Sequence, residues 1–476
     1  MLPDCRVSDD EYSIPKFDIS VDDFDNILDE LKGFHEQFNG CFSRTEPREN
    51  FFNYMAGQLS PLERKSIEPI ALNIENAKVR AMQFFISDVH WDEDKILSTY
   101  RSMIKEDMAD PDGVLIFDES GTIKKGNESA GVARQYCGNI GKVDNCQVGV
   151  YVGYATRHGY CLLGCRLFVP EIWFSNEYAE RRKRCRFPAD LKFKTKPEIA
   201  VELLKEIAKS GEIPFRYVAA DSVYGNSPVF REAVESIPNV TYLVGMPNTT
   251  QFWLKRPGTE KKEYNYRGEQ KTKRILKAPE QAPMTFGTFA KNLNNFFWYR
   301  RKVSEGTKGP IEYEFTKRQI VLARDGLPGD HVWLVVRRTI CENPIYSFYI
   351  SNAMGSTRLK LFVWLSGIRW AIEQIFEEAK TELGMDHYEV RKWPGWYHHM
   401  MTSMLAHFFL WHMKIRLGKK TPALTVSQVR FLLRIVLPVK QFKRCEIIEL
   451  LKWNQIRNHR AYISHRKKKL LGQSSQ

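Results

Sequence analysis

Nine cysteines are present without a single CxxC pair, so no zinc ribbon and no thioredoxin-type redox centre is written into the chain. Cys161 and Cys165 fall in a strand-like run that suits packing, and reduced thiols in an intracellular protein are expected. No apolar stretch approaches about 18 residues, and the N-terminus is acidic, so neither a spanning helix nor a signal peptide is predicted and no membrane partner is expected. Gly121–Gly126 has the spacing of a phosphate loop, but Asn127-Glu128 stands where Lys-Ser/Thr is required. Ser120 and Ser222 lack a nucleophile elbow. His398, His399, His407 and His412 have no metal-ligand spacing with nearby acids, and no internal repeat or low-complexity block occurs.

What is present is positive charge, unevenly spread. The formal net charge is +14 over 476 residues, which points to a polyanionic partner. Residues 1–40 hold eleven acids against three bases, whereas 450–476 hold seven Lys/Arg and no acid, including Arg466-Lys467-Lys468-Lys469. Such a tail is either a solvated surface or a phosphate contact. Hydrophobic content of 43% and aromatic content of 13% exclude a disordered chain, and the length predicts two to four domains.

Residues 1–95 read as helical: Phe24, Ile27, Leu28 and Leu31 recur at helical spacing, and Ser60-Pro61-Leu62-Glu63 has the form of a helix start. This region is a candidate for DNA-end binding. Between 96 and 247 the texture becomes α/β. Val114–Asp118, Gly149–Tyr154 and Tyr160–Val169 read as strands, followed by helix (Pro197–Ser210), strand (Tyr217–Asp221), helix (Pro228–Ser236) and strand (Thr241–Met246). That order predicts a mixed sheet of the ribonuclease H-like kind. Residues 248–319 carry sixteen Lys/Arg against seven acids and the cluster Phe296-Phe297-Trp298-Tyr299-Arg300-Arg301, and read as a basic, β-rich insertion. The core resumes over 320–395 with a long helix from about Ser356 to Leu383, and 396–476 reads as helical with the basic tail.

Asp118 ends the apolar run of GVLIFDESG, and Asp221 ends that of FRYVAADSVYG. Ligand sites in α/β sheets lie at strand ends, and a buried carboxylate is costly unless a cation compensates it. A turn-capping role is the competing reading for each. Glu119 should point to the opposite face of its strand. Arg369, Glu373 and Lys380 share one helical face, placing cations for phosphate beside an acid; ordinary (i, i+4) ion pairing is the bland alternative, and Glu377 competes with Glu373. Three acids on rigid elements are the least a two-metal phosphodiester site requires, since Mg²⁺ keeps most of its waters. The pattern therefore points to a metal-dependent nuclease or strand transferase.

Longer motifs sharpen this. FDESGTIKKG, GVARQYCG, NCQVGVYVGYA, RLFVPEIW, TKPEIAVELL, AADSVYG and RWAIEQIFEEAKTELGMDHYEVR together resemble the blocks of bacterial IS701-type transposases, within the IS4-like DDE group, from about Phe38 to Leu410. The resemblance implies Asp118, Asp221 and Glu373 as catalytic and metal-binding residues with two Mg²⁺ ions, Mn²⁺ substituting. It implies hydrolysis at the ends of a mobile element by metal-activated water and joining of the 3′-OH ends to target DNA. The expected partners are double-stranded DNA (terminal inverted repeats and target) and a second copy of the chain in a synaptic complex, in the bacterial cytoplasm on the nucleoid. Candidate DNA contacts are Arg369, Lys380, Lys124, Lys125, Trp298, Arg300, Arg301, Lys467, Lys468 and Lys469; Trp298 could stack on an unpaired base or sit in the core of the insertion. The IS4-like signature Tyr-x2-Arg-x3-Glu-x6-Lys is met at Arg369, Glu373 and Lys380, but Ser366 holds the Tyr position. A domesticated DNA-binding protein and a structure-specific nuclease remain as alternatives.

Overall fold

The computed structural model describes residues 16, 18–267, 269–277, 282–306 and 309–473. Five helices open it, Asp22–Glu36, Thr45–Leu59, Ile67–Asn73, Val79–Ser87 and Glu93–Met108. Ile27, Leu31, Phe34 and Phe38 form a buried stripe at i, i+4, i+7 and i+11. That stripe packs on the helix Trp393–Gly418, with Phe34 and Phe409 ring centroids 5.1 Å apart. Trp393–Gly418 is buried nearly all round, which ties the two ends of the chain into one core.

Ser60–Glu63 does not begin a helix; the next one starts at Ile67. Ser60 instead closes the preceding helix, its Oγ donating to the Gly57 carbonyl at 2.6 Å. Its own carbonyl, with that of Gln58, accepts from the buried Lys65 ammonium at 2.6 Å.

The sheet begins with β1 (Val114–Ile123), β2 (Ala133–Cys137), β3 (Lys142–Ala155) and β4 (Tyr160–Phe168), and continues with β5 (Tyr217–Ala220) and β6 (Thr241–Met246). β1 pairs antiparallel with β3 and β3 with β4, while β5 runs parallel to β1 and β6 parallel to β5. The resulting order β4-β3-β1-β5-β6, three antiparallel strands followed by two parallel ones, is the ribonuclease H-like arrangement expected from the element order. Val114–Phe117 and Tyr217–Ala220 are buried throughout, as parallel strands covered on both faces must be. One covering helix, Lys196–Ser210, is fixed at its start by a capping box between Thr195 and Glu198 and buries Ile199, Leu203, Leu204 and Ile207.

Beyond β6 the chain forms β7 (Gln251–Trp253), the hairpin β8 (Thr259–Tyr266) and β9 (Glu269–Leu276), β10 (Met284–Thr285), a helix Phe286–Asn292, and β11 (Tyr299–Gly306). Then β12 (Gly309–Arg324), β13 (Leu327–Arg338) and β14 (Tyr346–Ser351) extend the main sheet, with β14 antiparallel to β6. Residue 319 lies inside β12, which is exposed over its first three residues and buried at Phe315, Thr316 and from Ile320 to Leu322; one strand crosses the change of composition. The predicted helix Ser356–Leu383 is two helices, Leu359–Ile368 and Trp370–Leu383, with Arg369 at the junction. Gly367 there lies against Val303, where a Cβ would meet Val303 Cγ1 at 2.5 Å.

Candidate active site

Phe117 and Ala220 are register partners on β1 and β5, so Asp118 and Asp221, the next residues, stand side by side where the two parallel strands diverge. β1 continues, with Asp118 opposite Tyr151 of β3. β5 stops, and Asp221 caps the short turn Ser222–Gly225 by accepting the Val223 N–H at 2.9 Å; the capping reading and the site reading thus apply to the same carboxylate. Two glycines let this turn sit on β6. A Cβ on Gly225 would lie 2.0 Å from the Gly245 carbonyl oxygen, and one on Gly245 3.0 Å from the Ser222 nitrogen.

The electrostatics are uneven. Asp118 accepts the Glu119 N–H at 2.8 Å, and burial, opposed by Arg369 and reinforced by Asp221, pushes its carboxyl up to about 7. Burial and the Glu119 charge likewise raise Asp221. Arg369 reaches both sides of the site: Nη2 donates to Glu373 Oε1 at 2.7 Å, and Nη1 lies 3.5 Å from Asp118 Oδ2. Glu373 is therefore joined to the aspartates through a guanidinium. Glu377 is exposed and accepts from Gln374 at 2.8 Å. β1 does continue past Asp118, and Glu119 binds Lys196 Nζ at 2.7 Å and accepts the Tyr224 hydroxyl at 3.0 Å.

Two desolvated carboxylates side by side, raised by burial and short of hydrogen-bond donors, suit a hard divalent cation, which takes oxygen ligands and supplies the missing charge. Among the described residues no three ligating side chains surround a single point; Arg369 is the cation that the acids share here.

The model of the DDE superfamily endonuclease family matches residues 37–310, a span that holds Asp118 and Asp221 and ends before Glu373. The chain belongs to the DDE superfamily endonucleases, as an IS701-type transposase. It is 26% identical over 346 residues to the "Probable transposase for insertion sequence element IS701" of Microchaete diplosiphon, covering 72% of this chain and 77% of that one. A solved structure described as a piggyBac transposase synaptic complex with hairpin DNA aligns at a TM-score of 0.41 with 10% identity, over 87% of this chain and 77% of the other. Membership of the DDE superfamily endonucleases makes the protein an enzyme acting on DNA, in a superfamily whose members use divalent metal ions.

Around this endonuclease's acids the other candidate residues are dispersed. Lys380 is half-buried over the Phe376 ring, and burial lowers its pKa while Asp386 raises it. Lys124 donates to the Tyr388 carbonyl at 2.8 Å and lies 3.4 Å from the centre of its ring, with burial lowering its pKa to about 7; Lys125 is exposed. Trp298 is only 7% exposed, beneath Arg338 at 4.2 Å, while Phe296 beside it is 80% exposed. Arg300 pairs with Glu312, and Arg301 donates to the Arg300 carbonyl, both on β11. The side chains of Lys467, Lys468 and Lys469 lie outside the described residues. Ser366 is buried and its Oγ donates to the Val363 carbonyl at 2.8 Å, a small inward-facing residue where the wider signature has Tyr. Among the described residues no helix is long and apolar enough to cross a membrane.

Glu119, Lys196 and Tyr224 were not anticipated as neighbours of the site. The signal available was the pair of short motifs DES and DSVYG; only folding brings Glu119 of the first against Tyr224 of the second.

Proposed function

We propose that this transposase binds the terminal inverted repeats of its own element, cleaves there and joins the 3′-OH ends to target DNA, with Asp118, Asp221 and Glu373 as its catalytic residues. The observation that carries the reading is the pair of partly buried, poorly compensated aspartates at adjacent parallel strand ends, coupled through Arg369 to Glu373. Bound Mg²⁺, as two ions for which Mn²⁺ substitutes, would be held by these three acids and would neutralise charge at the attacking and leaving oxygens. The protein's own contribution is placement. The strands fix the aspartates, and Arg369 orients Glu373 and offers its planar fork to a phosphate once DNA enters. Burial of Asp118 and Asp221 keeps the local dielectric low, so each charge there acts strongly on the phosphodiester.

The enzyme works on this reading as a homodimer bridging two element ends, in the cytoplasm and on the nucleoid. Arg369 and Lys380 on one helix face, Lys124, Lys125, Arg300, Arg301 and the tail Lys467–Lys469 supply phosphate contacts, and Trp298 remains a candidate for stacking on an unpaired base.

Donor ends, Mg²⁺ and a supercoiled target plasmid test the proposal. Joined product is expected from wild type. Asp118→Asn, Asp221→Asn and Glu373→Gln should each abolish cleavage and leave end binding largely intact; normal turnover in any one removes that residue from the assignment. Cleavage without joining would make the protein a structure-specific nuclease, and binding alone a domesticated DNA-binding protein.

A further inference from the structure

On the β6 side of Asp221 an open cleft of about 510 Å³ runs to the helix Phe286–Asn292 and β14, walled by Asp221, Asn248, Lys291, Arg337, Tyr346 and Arg369. Its volume falls in the range of about 300–1,000 Å³ typical of small-ligand sites, enough for one nucleotide unit. Three cations face one acid across it. Two of those cations, Lys291 and Arg337, have no carboxylate partner among the described residues.

The contrast with the next residue is sharp. Arg338 is neutralised by Glu314 at 2.7 Å and covers Trp298. Arg337, on the other face of β13, lies 4.4 Å from the Tyr313 ring centre and 5.8 Å from that of Tyr349. Its only side-chain hydrogen bond among the described residues is a 3.4 Å contact to Ser347 Oγ. Aromatic faces orient a guanidinium without cancelling its charge. Tyr346, opposite Arg338 in the register of β13 and β14, lies nearly parallel to Phe348, at 16°, and packs on Trp298, which fixes the start of β14 at the cleft.

We propose that this cleft is a nucleotide subsite for the DNA strand being cut, with Arg337 and Lys291 as positioning residues that hold the phosphodiester next to the scissile one. This rests on the reading of Asp118, Asp221 and Glu373 as the catalytic site. The basic segment after β6 then acts on the reaction through Lys291 at the cleft, not only through the outer basic cluster of β11.

A phosphate scan tests it. End duplexes carrying one neutral methylphosphonate linkage at each successive position near the cut are bound to the full-length enzyme, with Ca²⁺ in place of Mg²⁺, and affinity is read by fluorescence anisotropy. Wild type should lose about tenfold at the linkage next to the scissile phosphate, the order of a charged hydrogen bond. Arg337→Gln and Lys291→Gln, checked for native circular dichroism and melting, should bind unmodified ends about tenfold more weakly and lose little further at that linkage. Arg337→Lys should recover part of the affinity. A wild-type scan with a sensitive linkage that stays equally sensitive in both variants overturns the subsite alone. Failure of wild type to bind any end DNA overturns the underlying reading with it. Competition by a free deoxynucleoside monophosphate without any position-specific loss would assign the cleft to free nucleotide and overturn it as a strand subsite.

Discussion

Asp118 and Glu378 are both acids withdrawn from solvent, 18% exposed in each case, yet they live in opposite surroundings. Glu378 receives His407 Nε2 at 2.8 Å, Tyr160 OH at 2.9 Å and Trp411 Nε1 at 3.2 Å. Burial pushes its carboxyl up, but these donors outweigh burial and hold it below the ordinary range. Asp118 has one backbone N–H and an arginine 3.5 Å away, and burial takes it up to about 7. Supply of partners, rather than burial, separates the two. A satisfied buried acid cements packing, whereas an undersupplied one stores demand for a cation.

The largest expected effect tests the undersupplied member. Asp118→Asn should lower strand cleavage by about 10³-fold or more, while the melting temperature of the metal-free protein stays equal or rises, because a poorly compensated charge is gone. Glu378→Ala should do the reverse. It leaves His407 and Trp411 without their acceptor and should cost about 3 kcal/mol of stability, measured by urea unfolding, with cleavage per folded molecule close to wild type. Equal destabilisation by both substitutions would erase the distinction.

That distinction was half legible in the sequence. Asp118 and Asp221 could be read because each ends an apolar strand-like run, and the sheet order followed from the succession of elements. Glu373 could be read from helical spacing, which survives the helix break because Arg369 keeps helical backbone angles at the junction. The break itself was not legible, since nothing local announces that Gly367 meets Val303 from β11. Nor was Glu378, five residues beyond Glu373: its partners come from β4 and from the helix Trp393–Gly418, far away in the chain. Arg337 and Arg338 look alike as a dipeptide, and only the position of Glu314 on β12 tells the neutralised one from the open one.

Acidification should move the two kinds of group in opposite directions. His399 sits between the Tyr54 hydroxyl at 2.7 Å and the Met385 carbonyl at 3.0 Å, and burial lowers it to about 3; burial lowers His35 to about 4. Both stay neutral in the folded state while the unfolded chain takes up protons below about 6.5. Stability is therefore lost as pH falls from there, by up to about 1.4 kcal/mol per pH unit for each histidine. Asp118 works the other way. Its folded pKa is raised, so the folded state holds the extra proton between about 4 and about 7, and the metal-free protein gains stability from this group as pH falls through that window. Urea midpoints between about pH 4.5 and pH 7 should accordingly fall more steeply in Asp118→Asn than in wild type. Parallel curves would show that Asp118 is not the undersupplied acid.

The smallest effect applies the same criterion to cations. In the last helix, Arg444–Gln473, Arg457 pairs with Glu68 at 2.5 Å, whereas Arg460 and Arg466 have no carboxylate partner among the described residues. A paired arginine must first exchange its carboxylate for a phosphate, and so releases few counterions when DNA arrives. An open one can exchange its counterions for a phosphate. Arg457→Ala should therefore leave the salt dependence of end binding unchanged, while Arg460→Ala with Arg466→Ala should flatten the log–log slope by about 0.9 for each phosphate left unneutralised. Removing 457–476 should flatten it further, as the Lys467–Lys469 run goes too. If the double variant keeps the wild-type slope, the open arginines of the tail are solvated surface, and partner supply marks functional acids in this enzyme without marking functional cations.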